Sequence, residues 1–99
     1  MSRRVRKTAR ADNDIQGIAY RIAGDNLNAA LKWVDDLEGV FSNIAETPGM
    51  GTDRRDLRPR LRSVAFGNYI VFFKLVRNVL VIVRVIHGAR DYRRIFEKK

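Results

Sequence analysis

Apolar positions along the 99-residue chain change their spacing part-way, dividing it into a helical half and a strand-forming half. Ile15, Ile18, Ala19, Ile22 and Ala23 fall at i, i+3, i+4, i+7 and i+8, one stripe of an amphipathic helix. Gly24 is expected to stop that helix, with Asp25 or Asn26 placed to cap the next. In the second helix Leu27, Ala30, Val34, Leu37, Phe41 and Ile44 alternate steps of three and four, and Trp33 and Val40 widen the face. Thr47-Pro48-Gly49-Met50-Gly51 ends it, because proline lacks the N–H a continuing helix needs. The Gly-Asp-Asn junction predicts an antiparallel helical hairpin.

Beyond a polar, Arg-rich connection at 52–60, the runs Leu61–Phe66, Tyr69–Val76 and Val79–Ile86 are rich in Val, Ile, Phe and Tyr. Gly67-Asn68 and Arg77-Asn78 separate them as tight turns, which predicts a three-stranded antiparallel meander. Arg3 to Lys7 suits a short basic strand at a sheet edge. The order is β-α-α-β-β-β, an α+β domain over residues 1–99 with the hairpin packed on an antiparallel sheet. The second and third runs are apolar on both faces, so one face is expected against the hairpin. The other is expected to stand open to a partner. Arg90–Lys99 is expected to form a short basic helix holding Ile95 and Phe96 to the sheet.

Composition narrows the chemistry. The absence of cysteine excludes disulfides, thiolate metal sites and a cysteine nucleophile. The longest apolar runs, Tyr69–Phe73 and Val79–Val83, are five residues each, short of the ~20 a membrane span requires. The basic N-terminus lacks the apolar core of a signal peptide, so a cytoplasmic, membrane-free protein is expected. Twenty Lys and Arg stand against eleven Asp and Glu, a formal charge of +9. Residues 1–50 hold seven bases and seven acids, and residues 51–99 hold thirteen bases and four acids, so the excess belongs to the second half. Fifteen of the twenty bases are Arg, whose planar fork suits carboxylate and phosphate. Beside an apolar sheet, this distribution favours an acidic, partly disordered protein segment over a phosphate backbone as partner.

Few groups are placed for catalysis. One histidine and no cysteine argue against a zinc site, and no cofactor is expected. Asp12/Asp14 and Asp35/Asp36 read as solvated helix faces rather than acid–base pairs. Gly49-Met50-Gly51 is a turn without the helix start of a phosphate loop. His87, in Arg84-Val85-Ile86-His87-Gly88-Ala89-Arg90-Asp91, either serves as a base beside a phosphate clamp or holds the turn by bonding Asp91. Arg54, Arg55, Arg58, Arg60 and Arg62 form a basic lead-in to the sheet, and alternation sets Arg60 and Arg62 on one face.

Four segments taken in order resemble a known family. They are Thr47-Pro48-Gly49-Met50-Gly51, Leu57-Arg58-Pro59-Arg60-Leu61-Arg62-Ser63, Gly67-Asn68-Tyr69-Ile70-Val71-Phe72-Phe73 and Val83-Arg84-Val85-Ile86-His87-Gly88-Ala89-Arg90-Asp91. With Ala11-Asp12 and Ile15 in the helical half, the series resembles the ParE toxins of the RelE/ParE superfamily, from bacterial type II toxin–antitoxin systems. The resemblance implies the same β-α-α-β-β-β fold. It implies a toxin that inhibits DNA gyrase and stalls replication without a covalent reaction of its own, in plasmid-stability or stress-response roles. It also implies a ParD-like antitoxin binding tightly in a heterotetramer or larger complex, with DNA contacted only through that antitoxin. The candidate partner-binding residues are Arg58, Arg60, Arg62, Lys74, Arg84, His87 and Arg90.

The alternative is the ribosome-dependent mRNA endonuclease branch typified by RelE. Those enzymes resemble this chain but carry a basic residue after the Tyr of the middle strand and Tyr or His near the C-terminus. Here Ile70 follows Tyr69, and Phe96 has no proton to give. His87, Arg90 and Tyr92 are the groups that keep that alternative in play.

Overall fold

A computed structural model describes residues 3–97. The elements in chain order are β1 (Arg4–Lys7), α1 (Ala9–Asp25), α2 (Leu27–Glu46), β2 (Thr52–Asp53), β3 (Arg62–Phe66), β4 (Tyr69–Val76), β5 (Val79–His87) and α3 (Tyr92–Glu97). The strands form one five-stranded sheet in the order β1-β5-β4-β3-β2. The meander is antiparallel as predicted, but β1 pairs parallel to β5, so the sheet is mixed. A helical hairpin lies between β1 and the meander and supplies the crossover that parallel pairing requires.

Local chemistry explains the element ends. Thr8 caps α1 by accepting the Ala11 N–H on its hydroxyl at 3.0 Å. The helix runs through Gly24 to Asp25, one residue beyond the expected stop. Asn26 then serves both helices: its N–H donates to Ile22, and its Oδ1 accepts from Ala29 at 3.0 Å. Arg77 and Asn78 both have positive φ (49° and 65°), as a type I′ hairpin turn demands, whereas in the β3–β4 turn only Gly67 does. Gly51, at φ +85°, cannot carry a side chain, because a Cβ there would stand 2.4 Å from the Ser63 carbonyl oxygen.

Each face of the sheet has its own core. Val71, Phe73, Leu80, Ile82 and Val85 pack against Ala11, Ile18, Leu37, Phe41, Ile44 and Ala45 of the hairpin. Leu27, assigned by periodicity to the packed stripe, is 63 % exposed at the turn between the two helices, where it starts α2. On the opposite face Phe72, Val81, Val83 and Ile86 are buried with Leu61 and Phe96. The open apolar face expected from the sequence is therefore not open. The chain folds α3 and the 54–61 loop across it, and the Phe96 ring meets Phe72 edge-on at 4.8 Å. Phe96 lies in that short basic helix as expected, while residues 98 and 99 of the expected tail lie outside the described residues.

Candidate functional site

The site is built where β5 outruns its edge partner. Pairing between β1 and β5 ends at Lys7 and Ile82, leaving the later backbone of β5 exposed along that edge. The start of α1 closes it. Thr8 donates its N–H to the Ile82 carbonyl at 3.0 Å and its hydroxyl to the Val83 carbonyl at 2.9 Å, and Asp14 accepts the Val85 N–H at 3.0 Å. A register shift opposite Phe72 and Phe73 leaves Val83 as an extra residue in β5. Arg84, just past it, donates Nε and Nη2 to the two oxygens of Asp14 at 2.7 and 2.9 Å. Both side chains are nearly enclosed, at 13 % and 14 % exposure. The Asp14 hydrogen bond raises the Arg84 pKa above its already high ordinary value, so Arg84 is a permanent cation already matched to an anion.

That geometry corrects the reading of Asp14 as a solvated helix residue. The signal lay in the sequence: Asp14 stands three residues after Ala11 and four before Ile18, on the buried stripe itself. A carboxylate there needs a buried cation, and Arg84 is it.

After β5 the chain turns through Gly88, whose N–H bonds the Asn68 carbonyl at 2.8 Å. His87 is exposed, and its Nδ1 accepts the Ala89 N–H at 3.0 Å. The histidine holds the turn, then, but not through Asp91 as expected, since the Asp91 carboxylate caps α3 at the Arg94 N–H, 3.4 Å away. The ring packs edge-on against Tyr69 at 5.2 Å, and Tyr69 against Trp33 of α2 at 5.5 Å. With Asp14, Arg21 and Arg90, His87 and Tyr69 line a depression of about 730 Å³ between α1 and the strand ends.

The Arg-rich connection is largely occupied with holding itself together. Arg54 chelates Asp56 through two bonds of 3.2 Å and lies over the Tyr92 ring at 5.1 Å. The hydrogen bond from Arg54 holds the Asp56 carboxyl below its ordinary range, and that from the Arg55 backbone does the same for Asp53. Arg62 donates to the carbonyls of Gly49, Met50 and Gly51, between 2.8 and 3.2 Å, which pins the loop leaving α2. Arg60 has φ 66° and precedes β3, so strand alternation does not relate it to Arg62.

The seven sequence-predicted residues thus do not form one cluster. Arg58, Arg84 and Arg90 meet at a depression of about 440 Å³ that Arg10, missed in the sequence, also lines. Arg60 and Arg62 line a second, with Asp53 and Arg55, and Lys74 lies at the far end of the sheet. Arg62 and Arg84 are committed to internal partners, whereas Arg58 and Arg90 form no ion pair among the described residues. Among the described residues no three His, Asp or Glu side chains gather as metal ligands, and no helix is long and apolar enough to cross a membrane.

The family model described as the ParE toxin of the type II toxin–antitoxin system, parDE, matches residues 5–92. The chain belongs to the ParE toxin family. It is 32 % identical over 89 residues to Toxin ParE1 of Caulobacter vibrioides, spanning 89 % of this chain and 92 % of that one. Toxin ParE3 of the same organism is 28 % identical over 89 residues, covering 89 % of each chain. The solved chromosomal ParDE toxin–antitoxin system from P. aeruginosa has the same fold, with TM-score 0.72 and 18 % identity over 87 % of this chain and 96 % of that one. The toxin–antitoxin complex RelBE2 from Mycobacterium tuberculosis shares it more loosely, with TM-score 0.57 and 22 % identity over 88 % and 99 %. As a ParE-type toxin of a type II toxin–antitoxin system, the chain keeps within residues 5–92 both the Asp14–Arg84 clamp and the His87 turn.

Proposed function

We propose that this ParE-type toxin inhibits DNA gyrase by binding it, without a covalent reaction of its own, and that a ParD-like antitoxin keeps it silent in the cytoplasm. The observation that carries the reading is the family match over residues 5–92, together with what fills the positions where the endonuclease branch would need acid–base groups. Ile70 is half-buried against the second-face core, and Phe96 is buried against Phe72. Arg84 is neutralised by Asp14, and the Nδ1 of His87 is occupied by a backbone N–H. A solved relative that is itself a ParDE system supports an antitoxin partner, and Arg58, Arg60, Lys74 and Arg90 are the candidate cations left to orient one.

Adding purified protein to a gyrase supercoiling reaction is the direct test. Supercoiling should fall or cleaved DNA should accumulate, while cell-free translation continues at its normal rate. Codon-dependent mRNA cleavage on ribosomes, lost in His87→Ala or Arg90→Ala, would instead establish the nuclease reading.

A further inference from the structure

We propose that the sheet face carrying α3 binds the phosphate backbone of duplex DNA directly, through a track of cations along β5, of which all but Arg84 lack an acidic partner among the described residues. The inference goes beyond gyrase inhibition and stands independently of it. It departs from the expectation that DNA is contacted only through the antitoxin, and the duplex would compete with the antitoxin for Arg58, Lys74 and Arg90. Register sets the track. Arg4 and Arg6 of β1 pair with Val79 and Val81 of β5, and Lys74 of β4 pairs with Val81, so these side chains share the face opposite the hairpin. With Arg77 they surround a depression of about 460 Å³ floored by Val76, Val79 and Val81. Val83, two residues farther along β5, floors the 440 Å³ depression whose rim is Arg10, Arg58, Arg84 and Arg90.

The two linings hold eight cations and no carboxylate. Only Arg84 has an acidic partner among the described residues. Nothing in the fold requires like charges to gather this way, and their mutual repulsion opposes it. A polyanion removes the cost. From Val79 to Val83 the floor runs for roughly 13 Å, about the length of four base-pair steps of duplex.

Charge and shape select the duplex over other anions. The large apolar side chains that would anchor a peptide on this face are already used: Phe72 is covered by Tyr92 at 5.6 Å and Phe96 at 4.8 Å. What remains open is the row of valines and, at the second depression, the half-buried Ile95 beside Phe96. The exposed aromatic residue, Tyr20, lies on α1, and on this face the rings of Tyr92 and Phe96 are already covered by Arg54 and Arg58, so neither is a free platform on which unpaired bases could stack. What is left is a sequence-independent grip on phosphates, dominated by counterion release.

Fluorescence anisotropy of a labelled duplex of about 20 base pairs and arbitrary sequence, titrated with the full chain from about 50 to 200 mM salt, tests this. Arg10→Glu, Arg58→Glu and Arg90→Glu together should weaken binding at least tenfold. The same triple should flatten the log–log salt slope by about 2 to 3, near 0.9 for each phosphate no longer neutralised. A triple reversal of the same total charge at Arg21, Lys32 and Arg55, off α3 and outside both depressions, should cost less than about threefold. Circular dichroism checks the fold, and the same three arginines changed to Gln replace the Glu set if that set fails to fold. Equal losses from the two triples, or no binding by the unmodified chain, would overturn the proposal. So would displacement of the duplex by a Glu-rich peptide at or below the concentration of unlabelled duplex that does so, since the track would then serve an acidic protein. Gyrase is not present in this measurement, so the supercoiling test succeeds or fails separately.

Discussion

Asp14 shows how much one side chain decides here. It neutralises Arg84, accepts the Val85 N–H and so closes the β5 edge where β1 gives out. Asp14→Ala strands a nearly enclosed guanidinium and a backbone donor at once, and should cost about 2 to 3 kcal/mol, read as a lower urea midpoint at unchanged slope. Asp14→Asn keeps an acceptor but not the charge, and should fall between the two. The position was legible in the sequence, on the stripe with Ala11 and Ile18. Its partner was not, because 70 residues separate Asp14 from Arg84 and only the crossover geometry brings them together. Arg62 is a similar case. It reads as a free cation in an Arg-rich stretch, yet its donors are spent on three carbonyls of the preceding loop.

At the scale of elements, the sheet's second face depends on six residues. α3 has no stability of its own at that length, and Phe96 holds it by entering the cluster of Phe72, Leu61 and Val81. Phe96→Ala should destabilise the chain by about 3 to 4 kcal/mol and expose the face, seen as a lower melting temperature and new binding of an apolar dye. The β4–β5 turn offers the reverse. Arg77 occupies the left-handed region at φ 49°, where a long side chain is strained. Installing Arg77→Asn with Asn78→Gly supplies the pair that type I′ turns prefer and should raise stability by about 1 kcal/mol in the same urea titration. Helix and strand positions followed from periodicity because burial repeats with the element's own period. The C-terminal helix over the sheet was expected too, but how completely it and the 54–61 loop close the second face was not, since a five-residue apolar run reads the same whether a partner or the chain's own tail lies over it.

Across the whole molecule, the hairpin is net acidic, its seven acids standing against Arg10, Arg21 and Lys32. All seven acids of residues 1–50 lie on the hairpin, while Arg4, Arg6 and Arg10 of that same half border the opposite sheet face. Counting by halves hid this, because parallel pairing of β1 with β5 carries N-terminal arginines to the strands of the basic half. The acids of the 52–60 connection have a visible pH signature. Asp56 titrates below the ordinary carboxylate range in the folded state, so its contribution is complete above that range and disappears as pH falls through the lowered value. The stability gap between the native chain and Asp56→Asn should therefore be constant near neutrality and close in acid. Urea midpoints between about pH 7 and pH 2.5 read it, and a gap unchanged at the acid end would exclude the charge of Asp56 as its source.

By itself the sequence determined the helical hairpin, the meander, the two tight turns and the family, since each rests on spacing or on motifs local to the chain. It also determined the arginine excess. Only the tertiary structure decided which arginines are free. Arg62 and Arg84 found partners through loop closure and a strand crossover, whereas Arg10, Arg58 and Arg90 were brought from three separate segments to one rim with no acidic partner among the described residues. Whether a cation is paired depends on distances across the fold, and linear spacing does not encode them.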